Sequence, residues 1–287
     1  MVTRGRRQLA ASSGLAEHGY AVLEGFLDRA LVGVLRGAVR NALEAPPVAG
    51  CERPHNRLVP LRWNDPAVDL VLAGAERRRA VAGVTGGDDM RWISGYVSTK
   101  EPHTPALWWH QDWWCWDHPV ALRPAPAQVL LLCYLTDTDS RNGALRLLPG
   151  SHRASSSLHA ALPAAHAKGA RLPPAHVALS DQPGQVTLSA SAGDAVVIDY
   201  RLLHSTHPNS SSQRRDCLLL SFTPSWCTLD TDIRAHLIQH LAQPTRDEHP
   251  PRRSWHAELL PTFDDVRADL ALSRDAPARF AVQTAAT

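Results

Sequence analysis

The pattern of apolar and polar positions changes near residue 91. Before it, apolar residues recur every three to four positions, and the clearest stripe predicts a helix over Arg29–Glu44 with Asp28 as its N-cap. The segment Gly14–Phe26 is typical of a helix followed by a short strand, and a second helical stretch is predicted over about Ala67–Val84. The N-terminal third is therefore expected to be mainly helical.

From Arg91 onward, short apolar runs are separated by turn residues. Asn142-Gly143 between two such runs is a strong signal for a β-hairpin. Many short strands at this spacing predict a double-sheet barrel or jelly roll. The predicted strands are Arg91–Ser98, Leu107–Asp112, Gln128–Leu135, Ala144–Leu148, Val186–Leu188, Asp194–Asp199 and Cys217–Thr223.

The remaining segments define the expected domain organisation. Residues 150–185 are predicted to form a long connection of the kind that often covers a site. Two C-terminal helices are predicted, over Thr231–Leu241 and Pro261–Leu272. Residues 1–12 are expected to be a disordered tail, and residues 13–287 a single domain whose jelly-roll core spans about 91–225.

Composition and charge narrow the function classes. The net charge of +2 argues against a nucleic-acid partner or an acidic membrane, and arginine clusters such as Arg77-Arg78-Arg79 are interpreted as solvated surface. The five cysteines include no Cys-x-x-Cys pair, which favours a reducing compartment. No apolar run approaches the ~18 residues of a membrane span. We expect a soluble cytoplasmic protein, monomeric or homodimeric, whose partner is a small-molecule substrate.

His110-Gln111-Asp112 is the first candidate for chemistry. Residues two apart on a strand point the same way, so both side chains could reach one metal ion. With His204 from a distant strand, they make the two-imidazole, one-carboxylate set that holds non-haem Fe(II) and leaves coordination positions open. The pair alone is a weak signal, but its flanking tryptophans disfavour the alternative of exposed surface residues.

Three stretches, taken in order, resemble the phytanoyl-CoA dioxygenase-like family of Fe(II)/2-oxoglutarate-dependent oxygenases. They are Trp108–Trp114, Asn142–His152 and Gly193–Arg215. The resemblance extends from about Gly14 to Phe222. It implies a mainly β protein with flanking helices and a double-stranded β-helix core, the cupin-like jelly roll.

The resemblance also implies roles for individual residues. The iron ligands would be His110, Asp112 and His204. Arg215, eleven residues past His204, would grip the distal carboxylate of 2-oxoglutarate, with help from the hydroxyl of Thr206. A guanidinium suits this task because it pairs with a carboxylate through two hydrogen bonds.

Alternatives to these assignments lie close by in the chain. His207 is the rival of His204 but precedes Pro208-Asn209 and resembles a loop residue, and Arg214 is the rival of Arg215. Ser98 and Gln128 are weaker candidates for contacts to 2-oxoglutarate. Lys100 and Arg201 could meet a substrate carboxylate, although a solvated position is favoured for each.

Six of the nine tryptophans lie within 25 residues around the proposed ligands. Strand alternation predicts Trp108 on the face of His110 and, if continued, Trp114 and Trp116 as well. Core packing is the first interpretation of this cluster, and a substrate-pocket wall is the second. Trp114 and Trp116 are the candidate substrate contacts.

The reaction implied by the resemblance uses Fe(II), O₂ and 2-oxoglutarate and releases succinate and CO₂. The expected outcome is hydroxylation of an unactivated C–H in a metabolite, either amino-acid-derived or another biosynthetic intermediate of secondary metabolism. Asp112 disfavours halogenation, because related halogenases carry a small residue at this position. Desaturation, epoxidation or cyclisation are alternatives, as is a cupin-type metal enzyme or binding protein that does not use 2-oxoglutarate.

Overall fold

The computed structural model describes residues 14–44, 56–165, 172–251, 254–263 and 270–282. Its strands are β1 (Tyr20–Leu23), β2 (Arg57–Leu61), β3 (Arg91–Lys100), β4 (Leu107–His110), β5 (Val129–Tyr134), β6 (Leu145–Leu147), β7 (Val186–Leu188), β8 (Ala195–Asp199), β9 (His204–Thr206) and β10 (Arg215–Thr223). Its helices are α1 (Arg29–Glu44), α2 (Pro66–Leu72), α3 (Ala75–Thr85), α4 (Thr231–Leu237) and α5 (Trp255–Leu259).

The strands form two antiparallel sheets. One has six strands in the order β1-β8-β5-β10-β3-β2, and the other has four in the order β4-β9-β6-β7. Neighbours in the sheets are distant in sequence, as in β10 between β5 and β3. This is the predicted jelly-roll architecture, in which mainly β structure is flanked by helices.

The two faces of the six-stranded sheet bury different surroundings. Residues of its outer face, such as Val97 and Leu218, share a core with Val32, Leu35 and Val39 of α1. Residues of its inner face share a second core with the four-stranded sheet, to which β6 and β7 contribute. Burial of each large aliphatic side chain stabilises the folded state by about 1.5–3 kcal/mol, so packing against α1 holds the outer face of the sheet in place. The inner face, which α1 does not cover, is the face that can carry a site.

The predicted helix over Ala67–Val84 is two helices, α2 and α3, which meet at Gly74. The side chains of Arg77 and Arg78 donate to the last carbonyls of α2, at Val71 and Leu72 respectively. These bonds satisfy carbonyl groups that a helix end leaves unpaired. The interpretation of Arg77 and Arg78 as solvated surface was therefore wrong, because their guanidinium groups hold the break between the helices.

Other boundaries also differ from the predictions. Strands β2 and β9 were not among the predicted runs, and the helix predicted over Thr231–Leu241 ends at Leu237. The helix predicted over Pro261–Leu272 falls partly on residues 264–269, outside the described residues, and its described ends are not helical. The predicted N-terminal tail, residues 1–12, also lies outside the described residues. The short helix α5 lies just before the segment in which the helix Pro261–Leu272 was predicted.

Two further findings concern the chain as a whole. Cys115, Cys133, Cys217 and Cys227 carry free thiols, and the first three are buried. Among the helices in the described ranges, none combines the length and the apolar character needed to cross a bilayer.

Candidate active site

The proposed iron ligands come together between β4, β9 and the segment after β4. His110, the last residue of β4, lies opposite His204, the first residue of β9. One ligand atom from each of His110, Asp112 and His204 lies within 4.8 Å of the others, and all three residues are buried. The Nε2 atom of His204 is 3.5 Å from the Asp112 carboxylate, and that of His110 is 4.0 Å from it.

Main-chain carbonyls set the orientation of both imidazoles. The Nδ1 atom of His110 lies 3.0 Å from the carbonyl oxygen of Trp108, and that of His204 lies 3.0 Å from the carbonyl oxygen of Leu202. A carbonyl only accepts, so each Nδ1 carries the proton and each Nε2 presents its lone pair toward Asp112. The arrangement has the donor set of a 2-His-1-carboxylate metal centre with open positions.

The path of the chain through this site differs from the predicted straight strand. β4 ends at His110, and Asp112 is held by its amide N–H, which donates to the carbonyl of Tyr200 at 2.8 Å. The register between β4 and β9 shifts between Leu107 and His110. Strict alternation therefore fails, and Trp108 packs with Leu107 and Ala178 of the long connection in a separate cluster.

The rival histidine lies elsewhere. The Nε2 atom of His207 is 2.8 Å from the hydroxyl of Thr187 in an exposed contact. The geometry thus brings His204, and not His207, to Asp112.

A group of polar residues lies on the inner face of the six-stranded sheet. Arg215 begins β10, is 2% exposed, and shares the inner face with Cys217. Its Nε atom has no hydrogen-bond partner in the described structure, and one terminal nitrogen makes a long 3.4 Å bond to Asn56. Arg214, in contrast, pairs with Asp216 at 2.6 Å in a part-exposed ion pair.

Thr206, two residues past His204 on β9, also has a buried hydroxyl without a hydrogen-bond partner among the described residues. Buried donors of this kind are normally paired in a native structure. Arg215 and Thr206 therefore fit a bound group that accepts hydrogen bonds and carries negative charge.

Gln128 belongs to a hydrogen-bond network within the inner face. Its amide oxygen accepts from Trp114 Nε1 at 2.8 Å, and its amide nitrogen donates to the hydroxyl of Ser221 at 2.8 Å. Ser221 and Ser94 in turn hydrogen-bond the phenol of Tyr200, whose pKa is raised by burial. The described contacts of Gln128 are thus to the side chains of Trp114 and Ser221.

Ser98 lies on the same face, two residues before Lys100. Its hydroxyl oxygen accepts from the side-chain nitrogen of Asn56 at 3.0 Å. Asn56 thereby touches both Ser98 and Arg215, and it is a site residue that the sequence patterns did not indicate. Asn56 lies beside these residues because of the register between β2 and β3. The sequence patterns did not contain that register, so they could not indicate Asn56.

The two tryptophans proposed as substrate contacts pack against side chains from the C-terminal part of the chain, with their rings tilted. Trp114 lies 4.5 Å from the ring of His236, and Trp116 lies 4.6 Å from that of Phe280. The phenol of Tyr96, on the inner face of β3, lies 3.1 Å from Nε2 of His240. Residues after β10 therefore contact both tryptophans and the inner face of β3.

Arg201 has a structural role instead of a solvated one. Its guanidinium forms a buried ion pair with Asp199 at 2.6 Å and donates to the carbonyls of Ala121 and Arg123. A charge held by this many protein acceptors is not available to a substrate carboxylate.

Comparison with known proteins gives one family. The sequence profile described as phytanoyl-CoA dioxygenase (PhyH) matches residues 15–217. This range includes His110, Asp112, His204 and Arg215.

Two curated proteins are similar to parts of this chain. L-proline trans-4-hydroxylase from Streptomyces griseoviridis is 31% identical over 167 residues, which are 54% of this chain and 60% of the relative. Ectoine dioxygenase from Bordetella parapertussis is 30% identical over 135 residues, 43% of this chain and 42% of the relative. The chain thus spans about half the length of the curated relatives it matches.

A solved structure shows the same fold. The crystal structure of the epimerase SnoN in complex with Fe3+, alpha ketoglutarate and nogalamycin RO matches with a TM-score of 0.58 and 18% identity. The match covers 91% of this chain and 97% of that one.

Proposed function

The chain belongs to the phytanoyl-CoA dioxygenase family, and we propose that it is an Fe(II)- and 2-oxoglutarate-dependent hydroxylase acting on a small molecule. The observation that carries this proposal is the convergence of His110, Asp112 and His204, with both imidazoles turned by main-chain carbonyls. The unpaired buried donors of Arg215 and Thr206 support a site for the cosubstrate.

Each residue has a definite task in this proposal. His110, Asp112 and His204 hold the iron, which supplies oxygen activation coupled to the decarboxylation of 2-oxoglutarate to succinate and CO₂. Arg215 pairs with the distal carboxylate of 2-oxoglutarate, and Thr206 donates a hydrogen bond to it. Because the site is buried, water is excluded and these charge-assisted contacts are stronger than in solution.

The substrate proposed is an amino-acid-derived metabolite or another biosynthetic intermediate. Two of the curated relatives are named for L-proline and ectoine, both small nitrogen-containing molecules. In the proposal, Trp114 and Trp116 form an aromatic wall of the substrate pocket, and the pose of the substrate decides between hydroxylation and desaturation or cyclisation. The carboxylate at Asp112 favours hydroxylation over halogenation.

The test is anaerobic loading of the full chain with Fe(II) and 2-oxoglutarate. We expect a metal-to-ligand charge-transfer band, absent in Asp112→Ala and retained in the control Asp117→Ala, whose carboxylate lies outside the triad. O₂ is then added together with a panel of candidate substrates that includes L-proline and ectoine. For a true substrate we expect one succinate for each molecule of hydroxylated product, and the new hydroxyl oxygen should come from O₂. A wild-type chain that binds Fe(II) but forms no such band would overturn the proposal.

Arg215 separates this proposal from a metal enzyme that does not use 2-oxoglutarate. Arg215→Ala should raise the 2-oxoglutarate concentration needed for half-maximal charge-transfer absorbance by about 100-fold, since a charge-assisted pair is lost. The matched control is Arg214→Ala, which removes the neighbouring guanidinium that pairs with Asp216. Equal 2-oxoglutarate affinity in the two variants would sink the assignment of Arg215.

A further inference from the structure

We propose that His159 and Trp116 form a recognition site for the substrate, in which two uncharged N–H donors bind an uncharged carbonyl oxygen. The inference rests on the proposed function, because it names the group of the substrate that this part of the pocket would recognise. His159 lies in the long connection after β6, and neither the motif pattern nor the comparisons assign it a role.

One aromatic ring, that of Phe280, brings the two residues together. The ring centroids of Trp116 and His159 lie 4.6 Å and 5.1 Å from that of Phe280. Trp116 is 3% exposed and His159 is 5% exposed. The three side chains come from the loop after β4, the long connection and the C-terminal segment, so only the folded chain assembles this group.

Main-chain hydrogen bonds hold the C-terminal segment, residues 270–282, against the other two elements. The N–H of Trp116 donates to the carbonyl of Ser273 at 2.8 Å, and the N–H of Ser155 donates to the carbonyl of Phe280 at 3.0 Å. The position of the Phe280 ring between the long connection and the loop after β4 is therefore set by the backbone on both sides.

The same segment contacts the residues around the proposed metal centre. Gln111 lies between His110 and Asp112 in the chain, and its side-chain nitrogen donates to the carbonyl of Arg274 at 3.2 Å. Trp116 follows Asp112 by four positions. The donor on Trp116 therefore belongs to the loop that carries a proposed iron ligand.

Hydrogen bonding places the proton of His159 on Nε2. Its Nδ1 atom accepts from the N–H of Ser156 at 2.9 Å, so Nδ1 carries no proton. Burial lowers the pKa of His159 to about 4, and the imidazole is therefore neutral at pH 7 with its one proton on Nε2. This buried Nε2 has no hydrogen-bond partner among the described residues.

The indole N–H of Trp116 is also buried without a hydrogen-bond partner in the described ranges. Its neighbours differ, since Trp113 Nε1 donates to the carbonyl of Cys115 at 2.9 Å and Trp114 Nε1 donates to Gln128 at 2.8 Å. An unsatisfied buried donor costs about 1–3 kcal/mol, and such donors are normally paired. Two of them against one ring fit a bound oxygen that accepts hydrogen bonds.

The surroundings of these donors favour an acceptor without charge. The pKa of His159 is set by burial and by its hydrogen bond with Ser156, and no charged side chain among the described residues contributes to it. A carboxylate here would be buried without a counter-cation, at a cost of several kcal/mol. A carbonyl oxygen can accept both hydrogen bonds and needs no counter-charge. The site therefore suits an amide or lactam carbonyl of the substrate.

The experiment compares pairs of an amide and its acid as ligands of the anaerobic chain loaded with Fe(II) and 2-oxoglutarate. The pairs are L-prolinamide with L-proline, cyclohexanecarboxamide with cyclohexanecarboxylate, and nicotinamide with nicotinate. Perturbation of the charge-transfer band measures each dissociation constant. For at least one pair, we expect the amide to bind more tightly than its acid by about tenfold, because only the acid must be buried as an unpaired charge.

Substitutions locate this preference at the two donors. Trp116→Phe and His159→Phe keep an aromatic ring but remove the N–H, so each should weaken binding of that amide by about tenfold. His159→Gln, whose side-chain nitrogen can take the place of Nε2, should restore most of the affinity. The matched control is Trp63→Phe, which removes an indole N–H that donates to Glu248 outside this site.

The charge-transfer band before the ligand is added reports whether a variant has folded and holds iron and 2-oxoglutarate. In the wild type, a preference for the acids, or no response to any amide, would overturn this inference and leave the proposed function standing. Unchanged amide binding in both phenylalanine variants would do the same and would assign the two N–H groups to packing against Phe280. A wild-type chain that forms no band at all would overturn the proposed function as well.

Discussion

The two histidines of the triad are oriented by the same local device. In each, Nδ1 lies 3.0 Å from the carbonyl oxygen two residues earlier, Trp108 for His110 and Leu202 for His204. This contact fixes the tautomer before any metal binds, and a pre-oriented ligand loses less conformational freedom on coordination. The orientation of both imidazoles is therefore set by the backbone directly before each histidine.

Thr206 provides a test at the scale of a single hydrogen bond. We expect Thr206→Val to weaken 2-oxoglutarate binding by about tenfold. The variant lacks the buried hydroxyl, and the complex would therefore lose a hydrogen bond to a charged ligand that is worth about 1.5 kcal/mol. Thr206→Ser keeps the hydroxyl and should stay near wild type. Titration of the charge-transfer band with 2-oxoglutarate measures both, and an unchanged affinity in Thr206→Val would remove this residue from the site.

Among the elements, α1 shows the closest agreement between pattern and structure. Its bounds are those predicted, and its apolar stripe packs on the outer face of the six-stranded sheet. A stripe with a period of 3.6 residues can bury only one face, so position within the stripe predicts burial. Leu35 is 0% exposed, whereas Val34, which the apolar pattern also placed in the stripe, is 55% exposed and lies outside the packed face.

Leu35→Ala should therefore lower the free energy of unfolding by about 2–5 kcal/mol, since it leaves a cavity in the main core. Val34→Ala, one position away, should change the free energy of unfolding by less than about 0.5 kcal/mol. Urea denaturation followed by far-UV circular dichroism measures both. Similar losses in the two variants would show that α1 does not pack as described.

The hydrogen-bond network through Gln128 joins Trp114 to Ser221 of β10, which is 93 positions from Gln128 in the chain. Gln128→Met has a similar volume but leaves Trp114 Nε1 without its acceptor and removes the donor to the Ser221 hydroxyl, so we expect a loss of about 1–3 kcal/mol in unfolding free energy. The control is Gln213→Met at an exposed position. Tryptophan emission should also change in Gln128→Met, and a variant as stable as the control would contradict the network.

At the scale of the whole molecule, buried histidines make the fold sensitive to acid. Burial lowers the pKa of five histidines in the described part of the chain: His152, His159, His207, His236 and His256. The folded state therefore prefers their neutral forms, while the unfolded chain binds protons near pH 6.5. Stability from these groups is present above pH 6.5 and is lost as the pH falls below it.

His159, with its pKa lowered to about 4, is the sharpest test of this sensitivity. Between pH 6.5 and 4 the wild type should lose up to about 3 kcal/mol of stability through this residue. His159→Asn, whose side-chain oxygen can accept the Ser156 N–H in place of Nδ1, should lose correspondingly less. Denaturant unfolding at pH 7, 5.5 and 4.5 measures the difference, and parallel stability curves would exclude His159 as a contributor.

Patterns within short stretches of sequence predicted much of this protein. Local period, turn residues and motif spacing indicated α1, most strands of the jelly roll, and the residues that converge as a triad. These features depend on neighbours within a few positions, and a strand or helix period is a local property. The family resemblance added the expectation of a role for Arg215, because its distance from His204 could be counted.

Contacts between distant strands needed the tertiary structure. The register between β4 and β9 shifts between Leu107 and His110, which breaks simple alternation, and Trp108 packs with Leu107 and Ala178 of the long connection. The pairing of β3 with β10 placed Lys100 beside Arg215, although 115 positions separate them in the chain. Cross-strand register is set by which side chains pack together over the whole fold, so no local pattern contains it. The sequence by itself determined the chemical groups of the site, and the fold alone decided which charges face one another.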